Sequence, residues 1–166
     1  MKKILLIFSF LITNFVFAQL NTNPSPFEVN QSVTITIDAN SNQTDCNGFN
    51  NPSKVYMHSG IGNEAEPWGF SVVGNWGQDD GVGEMNNNGD GTWSLTIVPS
   101  DYYNLSNTQI SNATNMGLVF RNENGSQEFK DYGCSDFFIE VGSFQVDMIN
   151  PDNSGLLIVD NGDSVE

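Results

Sequence analysis

From Val33 onward the apolar residues of this chain recur at every second position and hardly anywhere at helical spacing, which commits the fold to strands. Val33, Ile35 and Ile37 alternate with Ser32, Thr34 and Thr36, while Trp93, Leu95 and Ile97 alternate with Thr92, Ser94 and Thr96. Each run describes a strand with one buried and one wetted face. Lys54 to His58, Phe70 to Val73, Met116 to Arg121 and Phe137 to Val141 complete six predicted strands in about 110 residues. Between them Asn47-Gly48, Asn88-Gly89-Asp90-Gly91, Asn124-Gly125 and Tyr132-Gly133 supply residues that tolerate positive φ. Asp101 to Asn115 is the one long connector, and its start at Tyr102 to Leu105 suits a single helical turn. Short antiparallel strands with polar turns predict an all-β domain, an immunoglobulin-like β-sandwich with Trp93 on its core face.

The two ends read differently. Lys2 and Lys3 precede an apolar stretch from Ile4 to Phe17, and Val16-Phe17-Ala18 before Gln19 fits a cleavage site, so residues 1–18 are predicted to be a secretory signal. The apolar run falls short of the roughly 20 residues that span a bilayer, so no membrane partner is expected. Residues 19–142 form the predicted sandwich module. Beyond it Phe144, Val146 and Met148 alternate, Asn150 to Gly155 turns, and Leu156 to Val159 opens a new apolar run. Strands this short cannot build a core alone, so residues 143–166 are predicted to begin a second, truncated Ig-like domain. The alternative is that they complete the first sandwich.

Without the signal, Lys54, Arg121 and Lys130 stand against twenty acids, which takes the formal charge from −15 to −17. Such a surface repels phosphate backbones, so nucleic acid is not an expected partner. Secretion also places Cys46 and Cys134 in an oxidising compartment, where a disulfide is the natural expectation. It would close a loop of about 89 residues, worth on the order of 4 to 5 kcal/mol in the chain-entropy account.

The chemistry concentrates between Trp68 and Glu84. Trp68 lies between Pro67 and Gly69, and Trp76 between Asn75 and Gly77, neither within an alternating apolar run. An indole in such a loop either caps the open end of a sandwich or faces solvent as a stacking platform. A flat ring suits the C–H face of a glucose unit, while Asn75, Gln78, Asp79 and Asp80 are suitable partners for its hydroxyls. Tyr102 and Tyr103 offer a second platform, although one of an adjacent pair normally faces inward. Asp79, Asp80 and Glu84 also form a candidate oxygen-ligand cluster, with calcium the one cofactor they admit. A glycosidase would need one of these carboxyls at a raised pKa inside a cleft, which a small sandwich rarely builds. His58, the single histidine, has no nucleophile motif beside it and reads as structural. Asn86 to Gly91 fails as a calcium loop because Ile97 occupies the closing position, which leaves a hairpin turn.

Three stretches carry a resemblance: Lys54-Val55-Tyr56-Met57-His58-Ser59-Gly60, the run from Val73 through Asn75-Trp76-Gly77-Gln78-Asp79-Asp80 to Gly83, and Met116-Gly117-Leu118-Val119-Phe120-Arg121-Asn122. Across about Pro24 to Gly142 the chain resembles N-terminal Ig-like modules of secreted Bacteroidetes proteins, which often precede an alpha-amylase-type glycoside hydrolase domain. The resemblance implies a secreted or cell-surface module that handles starch-type polysaccharide beside downstream domains of the same polypeptide. It carries over no catalytic residue. The expectation is therefore a non-catalytic binding module, with a spacer or adhesion module lacking a sugar site as the alternative.

Overall fold

The computed structural model describes residues 19–41, 48–49 and 51–142; the predicted signal segment, the predicted second domain and Cys46 lie outside them. Among the described residues nine strands form two antiparallel sheets. In the first, β1 (Leu20–Asn23), β2 (Val33–Asp38), β6 (Thr92–Ile97) and β5 (Asn86–Asn87) lie in the order β1-β2-β6-β5. In the second, β4 (Ser71–Val73), β3 (Val55–Gly62) and β7 (Asn115–Asn122) are neighbours, and both β8 (Glu128–Phe129) and β9 (Phe137–Glu140) pair with β7.

The alternation in the sequence becomes the alternation of faces. Val33, Ile35 and Ile37 of β2 point inward with Trp93 and Ile97 of β6, opposite Val55, Met57 and Ile61 of β3 and Met116, Leu118 and Phe120 of β7. These side chains make one shared core, and Trp93 belongs to it as its strand position predicts. The hairpin at Asn86 to Ile97 also forms, with Asn87 opposite Trp93 and Asp90 Oδ1 accepting from the Thr92 amide at 2.9 Å.

The connector after β6 holds more helix than one turn. Pro99–Tyr102 forms α1 and Asn107–Asn112 forms α2. Ser106 caps α2 in a reciprocal box with Gln109, a Ser-x-x-Gln signature that satisfies two amides left over at a helix start.

The two sheets differ in how their outer faces meet solvent. On β2 the outward positions are only partly covered, whereas β3 and β7 are buried on both faces along most of their length. The cover is the chain between β3 and β5. Residues 63–70 turn tightly, with the Glu66 amide bonded to Asn63 Oδ1 at 2.9 Å and the Phe70 amide to the Ile61 carbonyl at 2.9 Å. After β4 the chain leaves the sheet and returns at Gly83 to Met85, where the Met57 amide donates to the Gly83 carbonyl and the Met85 amide to the Val55 carbonyl, both at 2.8 Å. The excursion between carries Trp76, Asp79 and Asp80.

Candidate functional site

The site begins with a gap in the sheet. Gly60 of β3 and Gly117 of β7 are paired in register on the outer face, where neither contributes a side chain. A Cβ added to Gly60 would come within 2.5 Å of Trp68 Cε3, and one on Gly117 within 2.2 Å of Trp68 Nε1. The indole therefore lies on bare backbone across two strands, with one face on the glycines. Glycine is required here by close approach rather than by φ.

His58, two residues before Gly60 on the same face, stands between the two tryptophans. Its ring is tilted 30° to Trp68 at 5.7 Å and meets Trp76 edge-on at 5.4 Å. His58 Nδ1 is 3.1 Å from the Gly74 carbonyl, which can only accept, so Nδ1 carries the hydrogen. Burial lowers the pKa of this ring, which favours its neutral form. The histidine thus holds the start of the Trp76 loop against the sheet, the structural role its sequence context predicts.

Trp76 is 43% exposed, while Trp68 is half-buried. Together with His58 and Val119 they line a shallow cleft of about 470 Å³, whose remaining walls are Glu128, Lys130 and Asp136. Lys130 bridges the two acids, at 3.2 Å to Glu128 and 3.4 Å to Asp136. The cleft thus combines an apolar platform with a charged rim.

The side chains of Asn75, Asp79 and Asp80 are committed within the protein, and so are the backbone carbonyls of Asn75 and Gln78. Arg121, fully buried on β7, donates through one terminal nitrogen to the carbonyls of Asn75 at 2.7 Å and Gln78 at 2.9 Å. Its other terminal nitrogen donates to the carbonyls of Asn122 and Glu123. The guanidinium also stacks 4.4 Å above the Tyr56 ring. Asp79 accepts from Lys54 Nζ at 2.7 Å and from the Tyr56 hydroxyl, which Glu84 approaches to 3.1 Å. Asp80 accepts from Asn75 Nδ2 at 2.7 Å and from the Val82 amide at 3.0 Å. The structure thus brings Trp68 and Trp76 to one cleft, and Asp79 and Glu84 to one cluster with Lys54. Asn75, Gln78, Asp79 and Asp80 do not line that cleft. The polar groups that do, Glu128, Lys130 and Asp136, lie far away in the chain.

Among the described residues no group of three His, Cys, Asp or Glu side chains is gathered as metal ligands, and Lys54 occupies the charge position beside Asp79 and Glu84. Tyr103 is not a second platform: it is buried and its hydroxyl bonds Ser59 Oγ at 2.6 Å. The adjacent Tyr102 packs edge-on against it at 5.0 Å. Cys134 is disulfide-bonded, and Cys46, the partner the sequence names, lies outside the described residues. A separate cleft of about 480 Å³ is lined by Phe49, Asn87 and Trp93 among others.

The electrostatics of the loop yield a pH expectation. Lys54 and Tyr56 hold Asp79 below the ordinary aspartate value of 3.8, and Asn75 and Val82 do the same for Asp80. Burial, then the bonds to Asp79 and Glu84, push Tyr56 up to about 12, so it stays a donor. Depressed carboxylates stabilise the folded loop above their ordinary value, and that contribution is lost as pH falls through the folded value. Emission assigned to Trp76, as wild type minus Trp76→Phe, should stay constant from about pH 8 to about pH 5 and shift red under more acidic conditions. An Asp79→Asn variant should show the shifted emission already at neutral pH. A signal that changes only with global unfolding would remove the carboxylates from this role.

No protein-family model matches the chain, and no curated protein matches it.

Proposed function

We propose that the chain is a secreted, non-catalytic immunoglobulin-like module that binds starch-type polysaccharide and acts as an accessory to a glycoside hydrolase domain of the same polypeptide. One observation carries the reading: an exposed and a half-buried indole meet across His58 on one sheet face, with a charged rim beside them. The strand order supports the Ig-like part, since β1-β2-β6-β5 faces β4-β3-β7-β9 as strands A-B-E-D face C′-C-F-G in that fold. Secretion and the accessory role rest on the sequence alone, through the signal-like start and the resemblance described above. A calcium ion at Asp79, Asp80 and Glu84 would have to displace Lys54, so glycan binding is expected to survive chelation.

Calorimetric titration of the chain with maltoheptaose tests this reading. A shallow stacking site should give a Kd of about 0.1 to 1 mM, and Trp76→Ala should weaken it about tenfold. Equal binding by wild type and a Trp68→Ala/Trp76→Ala variant would exclude the cleft. The second reading, a spacer or adhesion module, draws on the internal bonding of Asp79 and Asp80. It expects no change in tryptophan emission with any glucan.

A further inference from the structure

Strand register places four positions in one row across the outer face of the second sheet. Val72 of β4 pairs with Gly60, Gly60 with Gly117, and Gly117 with Phe138 of β9. Three interstrand steps make this row roughly 14 Å wide. Because the two central positions are glycines filled by the Trp68 indole, the row reads outward as Val72, Trp68 and Phe138. Val72 is 50% exposed and Phe138 54%. The strip carries no charge.

The neighbouring rows carry hydrogen-bonding groups. On one side Asn115 pairs with Glu140. On the other, His58 pairs with Val119, beside the cleft that holds Lys130, Asp136 and Trp76. An apolar lane between two hydrogen-bonding margins matches a pyranose chain, whose C–H faces seek rings while its hydroxyls point sideways. The charge on this face selects further. Lys130 is held between Glu128 and Asp136, Glu140 adds another acid, and the whole chain carries −15, so a uronate or sulfate would be repelled.

We propose that a neutral glycan chain lies across the strands along Val72, Trp68 and Phe138, with Phe138 a second stacking platform beyond the tryptophan cleft. This rests on the carbohydrate-binding reading of that cleft. It is tested by titrating the purified chain and its Phe138→Ala, Phe138→Tyr and Trp76→Ala variants with maltotriose and maltoheptaose, with a thermal melt of each. Phe138→Ala should weaken maltoheptaose about five- to tenfold and keep the wild-type melting temperature. Phe138→Tyr, which keeps the flat ring, should bind as wild type does. If Phe138→Ala binds maltoheptaose like wild type while Trp76→Ala loses it, the strip is excluded and the cleft stands. If wild type binds neither oligosaccharide, strip and cleft fall together.

Discussion

Replacing Arg121 with methionine is expected to destabilise the chain by about 3 kcal/mol and lower its melting temperature by roughly 10 °C. The side chain is fully buried, and its two terminal nitrogens satisfy four carbonyls, those of Asn75, Gln78, Asn122 and Glu123. Methionine fills much of the volume but leaves those acceptors without donors, and an unsatisfied buried acceptor costs about 1 to 3 kcal/mol. Lysine should rescue little, because a point ammonium cannot reproduce a planar fork reaching two separate backbone segments. Both variants should also release Trp76, since two of the four carbonyls belong to its loop. Melting followed by circular dichroism, with tryptophan emission alongside, checks both effects. Variants that melt and emit like wild type would show that the loop holds its position without the guanidinium.

The second large effect concerns the glycine seat. Gly117→Ala should cost about 1 to 3 kcal/mol, because the new methyl would meet the Trp68 indole 2.2 Å away and lift it from the sheet. That cost depends on the indole being there. In a Trp68→Ala background the same substitution should be nearly neutral, so the double-mutant cycle should return a coupling of about 1 kcal/mol or more. Urea midpoints at constant slope measure it. Additive costs would mean that the alanine disturbs the strand itself and that the ring is seated by something else.

The alternation of Val33, Ile35 and Ile37, and of Trp93, Leu95 and Ile97, carries enough information to place β2 and β6 and to put Trp93 in the core. All six strands expected from the sequence are present, because a period of two is a local property of the chain. β1 was not legible for the opposite reason. Leu-Asn-Thr-Asn has little apolar alternation, and it is a strand only through its pairing with β2. β5 and β8, two residues each, are likewise made by their partners. In the connector, the Ser106 and Gln109 pair was a readable helix start that composition alone obscures.

At the site, Trp68 and Trp76 stand out in the sequence as loop tryptophans outside any strand pattern. Their polar neighbours do not, because Glu128, Lys130 and Asp136 reach the cleft through the segment around β8 and β9, far along the chain. Asn75, Asp79 and Asp80 look available until the fold gives their side chains partners. Arg121 takes the carbonyls of Asn75 and Gln78, while Lys54 and Tyr56 take the carboxylate of Asp79. An arginine between Phe120 and Asn122, in a chain with five basic residues, was the one local sign that a buried cation would organise this loop.

The glycine pair beneath Trp68 also has an entropic meaning. A ring whose plane is set by the backbone has lost its rotamer freedom during folding, so a partner need not immobilise it on contact. Such preorganisation removes part of the ordering cost of a contact and so raises the affinity that the contact yields. A platform built this way would meet the proposed glycan without rearranging itself.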